Sequence, residues 1–397
     1  MSMADIRRLN VAIVTETYPP EVNGVAMTIG RLAEGLVARG HRACIVRPRQ
    51  PDEPEAPPED QTLVPGLPIP RYPQLRFGLP APQHLRSTWL QQLPDVIHIA
   101  TEGPLGLSAL AVARQLAIPV LSTFHTNFHS YSRHYGIGWL QGRIESYLRW
   151  FHNRTAATLV PTSALAEELT ARGFRNVGVL SRGVDTALFN PRHRSTALRE
   201  SWGAGPDDLV VLIVGRLAPE KNLGLALEAF AALQRQRPAA RMVVVGDGPL
   251  REPLSRRQPG CRFTGVKQGE ELAAHYASAD LFLFPSLTET FGNVVCEALA
   301  SGLPVVAFDS AAAGSLVMSG RNGMCVPSGD SQAFVAAASR LASLHPAEPV
   351  RRAEYAHSVS HLDWQHIYDS YAAQLAATIA FHERRSIDND LIRCVPD

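Results

Sequence analysis

Short apolar runs rich in β-branched residues alternate along this chain with helix-length amphipathic stretches, and no other feature narrows its fold as much. Runs too short for a helix and apolar throughout are the signature of strands buried on both faces, so the sequence predicts parallel sheets built from βαβ units. In the first half the runs are Asn10–Thr15, Ala43–Arg47, Val96–Ala100, Pro119–Phe124, Ala157–Pro161 and Val177–Ser181. The pattern then restarts with Leu209–Val214, Arg241–Val245, Arg262–Thr264, Leu281–Phe284 and Pro304–Phe308, separated by helical stretches such as Leu223–Gln236 and Asn293–Ser301. At 397 residues the chain exceeds one ordinary core, and the restart divides it into two doubly wound α/β domains with a cleft between them as the ligand site. The expected spans are 1–190 and 195–362, with the linker at about 188–195 around Asn190-Pro191-Arg192-His193-Arg194. A final helix, Trp364 to Arg384 within 363–385, is placed to cross back to the first domain.

Composition excludes several function classes. Hydrophobic residues at 45 % and charged residues at 19 % describe a folded chain, and a formal net charge of +1 offers no long-range field for nucleic acid. No run reaches the ~18 apolar residues of a membrane span, and Met1–Asn10 carries Asp5, Arg7 and Arg8 where a signal peptide would be apolar, so the expectation is a cytoplasmic protein. Five cysteines (Cys44, Cys261, Cys296, Cys325, Cys394) show no C-x-x-C spacing and read as reduced, space-filling thiols. Residues 51–82 hold ten prolines, and Pro51–Asp60 adds five carboxylates without periodicity; this segment reads as a loop that turns apolar and basic at Arg71–Phe77.

Three segments carry chemistry. The first βα turn ends in Asn23-Gly24-Val25-Ala26 before the helical stretch Met27–Ala38, where a glycine lets backbone approach a phosphate at a helix N-terminus. The second domain's first strand ends in Gly215-Arg216, with Lys221 five residues on, and two such cations can clamp a diphosphate and neutralise it as a leaving group without a metal. After Leu281–Phe284 come Glu289 in the turn and Glu297 about two helical turns later, in a small, apolar context. Carboxylates accept paired hydrogen bonds from vicinal hydroxyls, which suits a sugar ring and a ribose. Other matches are decoys: Gly246-Asp247-Gly248-Pro249 breaks the dinucleotide fingerprint, Asp388-Asn389-Asp390 lies in a polar tail after the last helix, and His125 with His129 lacks a third metal ligand. No metal and no cofactor is expected.

Glu289-x7-Glu297 with Phe291-Gly292, the Gly215-Arg216 to Lys221 segment, Val245–Pro249 and Pro19-Pro20 to Asn23-Gly24 together resemble the family 4 retaining glycosyltransferases of GT-B fold. Phe124-His125-Thr126, Arg182-Gly183-Val184-Asp185 and Phe263-Thr264-Gly265 look most like bacterial GDP-mannose-dependent α-mannosyltransferases of glycolipid synthesis. The resemblance implies two Rossmann-like domains facing across a cleft, the first binding acceptor and the second a nucleotide-sugar. It makes Gly24 a backbone contact to the donor phosphates, Arg216 and Lys221 their clamp, and Glu297 the ribose ligand. Glu289 would bind the transferred sugar, helped by backbone N–H groups of Phe291, Gly292, Asn293 and Val294; His125 would sit at the reacting sugar, and Val266 would line the base pocket through its backbone. One departure is Asp309–Ser315, where relatives often carry a glycine pair followed by an acid.

The implied reaction moves a sugar, foremost mannose from GDP-mannose, to a lipid or glycan hydroxyl with α configuration retained. UDP-glucose or another UDP-sugar is the alternative donor, and a sugar-nucleotide epimerase or a non-catalytic nucleotide-sugar sensor are the competing classes. Residues 137–151 place Ile137, Leu140, Ile144, Tyr147, Leu148 and Phe151 on one helical face. Arg143, Arg149 and Arg154, with Arg71, Arg76 and Arg86, could form a basic shoulder for peripheral contact with anionic lipid on the inner face of the cytoplasmic membrane.

Overall fold

A computed structural model describes residues 7–21, 23–51, 53, 58–69, 72–125, 141–344 and 348–393; Arg71, His129, Ile137, Leu140 and Cys394 lie outside them. The chain separates into two compact units, Met1–Ser181 with Gln365–Asp397 and Arg182–Trp364.

In the first unit the chain runs β1 (Asn10–Val14), α1 (Gly24–Ala38), β2 (Arg42–Pro48), β3 (Gln61–Val64), β4 (Gly66–Ile69), β5 (Tyr72–Gly78), α2 (Pro82–Gln91) and β6 (Val96–Ile99). It continues through α3 (Pro104–Gln115), β7 (Val120–Thr123), α4 (Gln141–His152), β8 (Ala157–Val160), α5 (Ser163–Ala171) and β9 (Val177–Val179). Seven strands form one sheet in the order β3-β2-β1-β6-β7-β8-β9, with parallel ladders such as Val14↔Val46 and Val14↔Ile99. Strand order reverses between β1 and β6, so the loops after these strands diverge and leave a crevice at their carboxyl ends. Local chemistry sets the helix starts: the Asn23 side chain accepts from Val25 and Ala26 N–H at 3.1 and 2.9 Å, and prolines open α2 and α3, where no N–H is needed.

The proline-rich stretch is more ordered than its composition suggests. The loop expected over 51–82 contains β3 on the sheet edge and a β4–β5 antiparallel ribbon pairing Gly66↔Gly78 and Leu67↔Phe77. Prolines are tolerated there because every strand involved is an edge with one unpaired side.

The second unit runs α6 (Thr196–Ser201), β10 (Val210–Val214), α7 (Leu223–Gln236), β11 (Arg241–Val245), α8 (Arg251–Arg257), β12 (Arg262–Gly265), α9 (Gly269–Ser278) and β13 (Leu281–Phe284). Then follow α10 (Asn293–Ala300), β14 (Val305–Phe308), α11 (Ala311–Leu316), β15 (Gly323–Val326), α12 (Ser331–Ser343) and α13 (Pro349–His357). Its six parallel strands are ordered β12-β11-β10-β13-β14-β15, reversing between β10 and β13. β15 had no counterpart among the apolar runs, because Gly323-Met324-Cys325-Val326 carries a single β-branched residue. The core of this unit joins Val211, Ile213, Phe230, Leu233, Val244, Leu283, Phe308 and Phe334.

The expected linker at 188–195 is instead part of the second unit. Asp280, buried before β13, takes Arg194 at 2.8 Å, Arg199 at 2.9 Å and the Val210 N–H at 2.9 Å, which binds this polar segment to the sheet. The last helix, α14 (Trp364–Arg393), is longer than expected, so Asp388-Asn389-Asp390 lies on it and not in a tail beyond it. From Gln365 onward it belongs to the first unit. There Tyr371 and Leu375 are fully buried, Tyr371 Oη meets His98 Nδ1 at 2.6 Å, and a Cβ on Gly35 of α1 would fall 2.2 Å from the Tyr368 ring. Among the described residues no helix is long and apolar enough to cross a membrane, and Cys44, Cys261, Cys296 and Cys325 are free.

Candidate functional site

The reversal beside β10 gathers most of the expected donor residues. β10 is followed by Gly215, whose φ of 149° leaves it in glycine territory, and a Cβ on Gly246, which follows β11, would fall 2.0 Å from the Gly215 carbonyl oxygen. Leu217 N–H donates to the Asp247 carbonyl at 2.8 Å, so the Gly246-Asp247-Gly248 turn serves as a brace for the Arg216 loop. Arg216 remains 62 % exposed at its side chain and pairs with Glu220. Burial would raise the Glu220 carboxyl, but hydrogen bonding and the cations Arg216 and Lys221 outweigh it and hold it low.

Lys221 ends the 3-10 turn Pro219–Lys221 and pairs with Glu289, the two side chains 23 % and 14 % exposed. Its ammonium also lies 5.9 Å from the Phe284 ring centre. Glu289 sits in the turn between β13 and α10, and Gly292, at φ 92°, makes the left-handed step that opens α10. Phe291 is buried, and its carbonyl accepts the Ala312 N–H at 2.8 Å, which ties the turn to α11. Asn293, first in α10, has a buried Oδ1 with no hydrogen-bond donor among the described residues, beside first-turn N–H groups of the kind that bind anions. A full turn or more along α10, Glu297 accepts the Tyr276 hydroxyl at 2.8 Å; burial pushes its carboxyl up to about 7, against the pull of that bond. Val266 projects 62 % exposed after β12, next to Gly265.

The remaining two expected residues, Gly24 and His125, are on the first unit. Gly24 begins α1 after β1 and His125 follows β7, so both stand at carboxyl ends of parallel strands. His129, the second member of the expected dihistidine decoy, lies outside the described residues. Among those described, no group of three or more metal-ligating side chains converges.

Sequence reasoning missed two features. Arg182 is only 7 % exposed, lies 5.9 Å from the Phe291 ring centre and neighbours Glu289 electrostatically; burial lowers its guanidinium to about 10, so it stays cationic at neutral pH. Its position in Arg182-Gly183-Val184-Asp185, directly after a strand run, was the available signal. The second feature lies at the carboxyl ends of β1 and β6. His152 Nε2 contacts Glu102 Oε1 at 3.0 Å, Tyr147 donates to the Glu102 carbonyl at 2.6 Å, and Glu16 accepts the Leu105 N–H at 3.2 Å. Burial raises Glu16 to about 7, with Glu102 adding to the shift.

Comparisons with known proteins bear on both units. Residues 208–343 match the family described as glycosyl transferases group 1, and residues 22–188 match glycosyltransferase family 4. The chain is 36 % identical over 326 residues to a GDP-mannose-dependent alpha-mannosyltransferase of Corynebacterium glutamicum, covering 81 % of this chain and 78 % of that protein. A protein of the same description from Mycobacterium tuberculosis is 37 % identical, covering 81 % and 85 %. Among solved structures, sucrose-phosphate synthase from Thermosynechococcus elongatus superposes with a TM-score of 0.75 at 19 % identity over 94 % of this chain and all of that one. Anabaena HepE, solved with UDP and glucose, gives 0.70 at 19 % identity over 93 % and 100 %.

Proposed function

The chain belongs to the family 4 glycosyltransferases, and on that premise we propose that it transfers mannose from GDP-mannose to a hydroxyl of a lipid acceptor, retaining the α configuration. The observation that carries this reading is the meeting of two cations and two carboxylates at one strand-order reversal, with a helix N-terminus between the carboxylates. Arg216 and Lys221 neutralise the diphosphate, the N–H groups from Phe291 to Val294 bind its oxygens, and Val266 borders the base. Glu297 holds the ribose diol and Glu289 the hydroxyls of the transferred sugar. Arg182 sits behind Glu289 as a fixed positive charge. On the first unit, Gly24 is assigned to the diphosphate and His125 to the reacting sugar.

Chemically, the bond from the anomeric carbon to the diphosphate oxygen lengthens first, and positive charge spreads over the sugar ring. The acceptor hydroxyl then forms its bond on the face the diphosphate is leaving, and its proton passes to a phosphate oxygen. Retention follows without an enzyme-bound sugar. Lys221 and Arg216 act where negative charge grows in the transition state, which is where preorganised charges lower a barrier most. Because these cations offset the leaving group, transfer is expected without a divalent metal or any other cofactor. The protein acts at the cytoplasmic face of a membrane, in peripheral contact with anionic lipid.

A glucosyl donor is the second to test, with UDP-glucose as the probe, since a Streptococcus pneumoniae protein described as an alpha-monoglucosyldiacylglycerol synthase is 28 % identical over 75 % of this chain. The experiment is nucleotide release from GDP- and UDP-sugars in EDTA, with and without diacylglycerol vesicles. Release of GDP from GDP-mannose that rises with lipid is expected. Release from no donor would overturn the transferase reading, and an epimerised sugar formed without acceptor would replace it with the epimerase.

A further inference from the structure

Of the arginines expected in a basic shoulder, Arg149 and Arg154 come together with arginines from outside it. Arg76 is spent on the Gly66 carbonyl, Arg86 lies on α2, and Arg71 is outside the described residues. Arg149 and Arg154 instead meet Arg114 and Arg175 around a recess of about 450 Å³, completed by Ser146, Trp150 and Asn153. No acidic side chain lines it. Elsewhere in the unit several arginines face a carboxylate, Arg7 with Asp95, Arg39 with Asp369, Arg47 with Glu53, and Arg172 with Glu145 and Glu168, which none of the four in the recess does among its lining residues.

A structural explanation has to be weighed first. Arg114 lies in the last turn of α3 and Arg149 in that of α4, where a cation complements the negative end of the helix dipole. Arg149 also donates to the Arg172 carbonyl and Arg154 to the Trp150 carbonyl, each at 3.0 Å. This accounts for part of the charge only. Two helix ends supply roughly half a negative charge each, against four full positive charges. Arg114 and Arg175 make no side-chain hydrogen bond or ion pair among the described residues. Uncompensated like charges converging on one concavity repel each other until an anion enters.

The side chains are also arranged to receive one. The Arg154 guanidinium stacks 4.1 Å from the Trp150 ring centre, and Trp150, 42 % exposed, is itself stacked with Tyr147. Stacking occupies the flat face of the guanidinium and leaves N–H edges for paired bonds to phosphate oxygens. The recess precedes β7, β8 and β9, at the amino ends of strands in the parallel sheet whose β7 leads at its carboxyl end to His125 and whose β1 leads to Gly24. It is therefore separate from the first unit's share of the transfer machinery.

We propose that this recess is a second anion site, binding a phosphate monoester or diester in addition to the nucleotide-sugar. The phosphate could belong to a lipid headgroup, which would give the membrane contact proposed above a defined anchor, or to a soluble phosphate ester. The test uses the full chain with its nucleotide site saturated by GDP, and compares it with the double variant Arg114→Glu/Arg175→Glu, whose two side chains are exposed and outside the core. Binding of sn-glycerol 3-phosphate is measured by calorimetry, and binding of phosphatidylglycerol against phosphatidylcholine vesicles by flotation. At least a tenfold loss in the variant is expected in one arm: in the vesicle arm alone for a lipid headgroup, in the calorimetric arm for a soluble ester. Equal binding by both proteins, or none by either, overturns the proposal. Because binding and not transfer is read, that failure would leave the transferase reading standing.

Discussion

At the scale of single residues, the ion pair of Lys221 with Glu289 ties the proposed phosphate ligand to the proposed sugar ligand. Removing either takes a neutralising charge from a partly buried partner as well as removing a contact made in the transition state, so losses are large. Lys221→Ala and Glu289→Gln should each lower kcat by ~100-fold or more while the protein stays folded by circular dichroism; turnover within a few-fold of wild type in both would refute their roles. Glu297 differs because its carboxyl is buried and raised to about 7. Ribose hydroxyls donate to the ionised form, so donor affinity should rise with pH from 6 to 8, and Glu297→Gln should flatten that rise. A profile identical in the variant would assign the titration elsewhere. Ala311 gives a third case. It opens α11 at φ 49°, a left-handed conformation costing a non-glycine residue roughly 1–2 kcal/mol, in the loop where the sequence departs from the glycine-bearing family pattern. Set against glycine's extra chain entropy of about 0.5–1 kcal/mol, Ala311→Gly should stabilise the protein by about 1 kcal/mol in urea titrations, and a destabilised variant would show that no strain is stored there.

At the scale of elements, the docking of α14 on the first sheet makes stability depend on pH. Burial holds the His98 imidazole at about 3, against an ordinary value near 6.5, so it is neutral between Tyr371 and Thr123 in the folded protein. Below pH 6.5 the unfolded chain takes up a proton that the folded state refuses. The first unit should therefore lose stability as pH falls from 6.5 toward 3, by roughly 1.4 kcal/mol per unit once well below 6.5. His98→Gln should reduce that slope in thermal melts; an unchanged slope would place the titration on another group. The elements themselves were largely legible, since alternation of apolar runs and helical stretches predicts eleven of the sheet strands. β4 and β5 were hidden because Pro68 and Pro73 lower strand propensity whether or not a strand lies at an edge, and β3 because its four residues sit inside the proline-rich stretch. In the site, Arg216 and Lys221 stood out because two cations five apart follow a strand end, and Glu289 and Glu297 because carboxylates in a small, apolar context are unusual. Arg182 and the Glu16, Glu102 and His152 group did not, because their meaning comes from burial by distant residues. The arginine recess was illegible for the same reason: Arg114 and Arg175 join Arg149 only through the sheet order.

At the scale of the whole molecule, the two units differ in how the chain completes them. The second is one continuous segment, Arg182–Trp364, whereas the first needs Gln365 onward to finish its core. Within that segment Ile367, Tyr368, Tyr371, Leu375 and Ile379 are each no more than 9 % exposed. At about 1.5–3 kcal/mol per buried side chain their contribution is on the order of 10 kcal/mol, comparable to the full stability of a domain. Ending the chain at Trp364 should therefore unfold the first unit and leave the second folded, because no residue of the second unit's core is lost. The sites divide in the same way, since Arg216, Lys221, Glu289 and Glu297 all belong to the second unit and the arginine recess belongs to the first. A chain of residues 1–364 should then bind GDP in calorimetry, show no cooperative unfolding from its first unit, be cut by protease within residues 1–181, and transfer no sugar. If residues 1–181 of the shortened chain are cut no faster than those of the full chain, the last helix is an accessory. If GDP binding disappears although the second unit melts cooperatively, the nucleotide depends on residues outside that unit more than the clamp and its carboxylates imply.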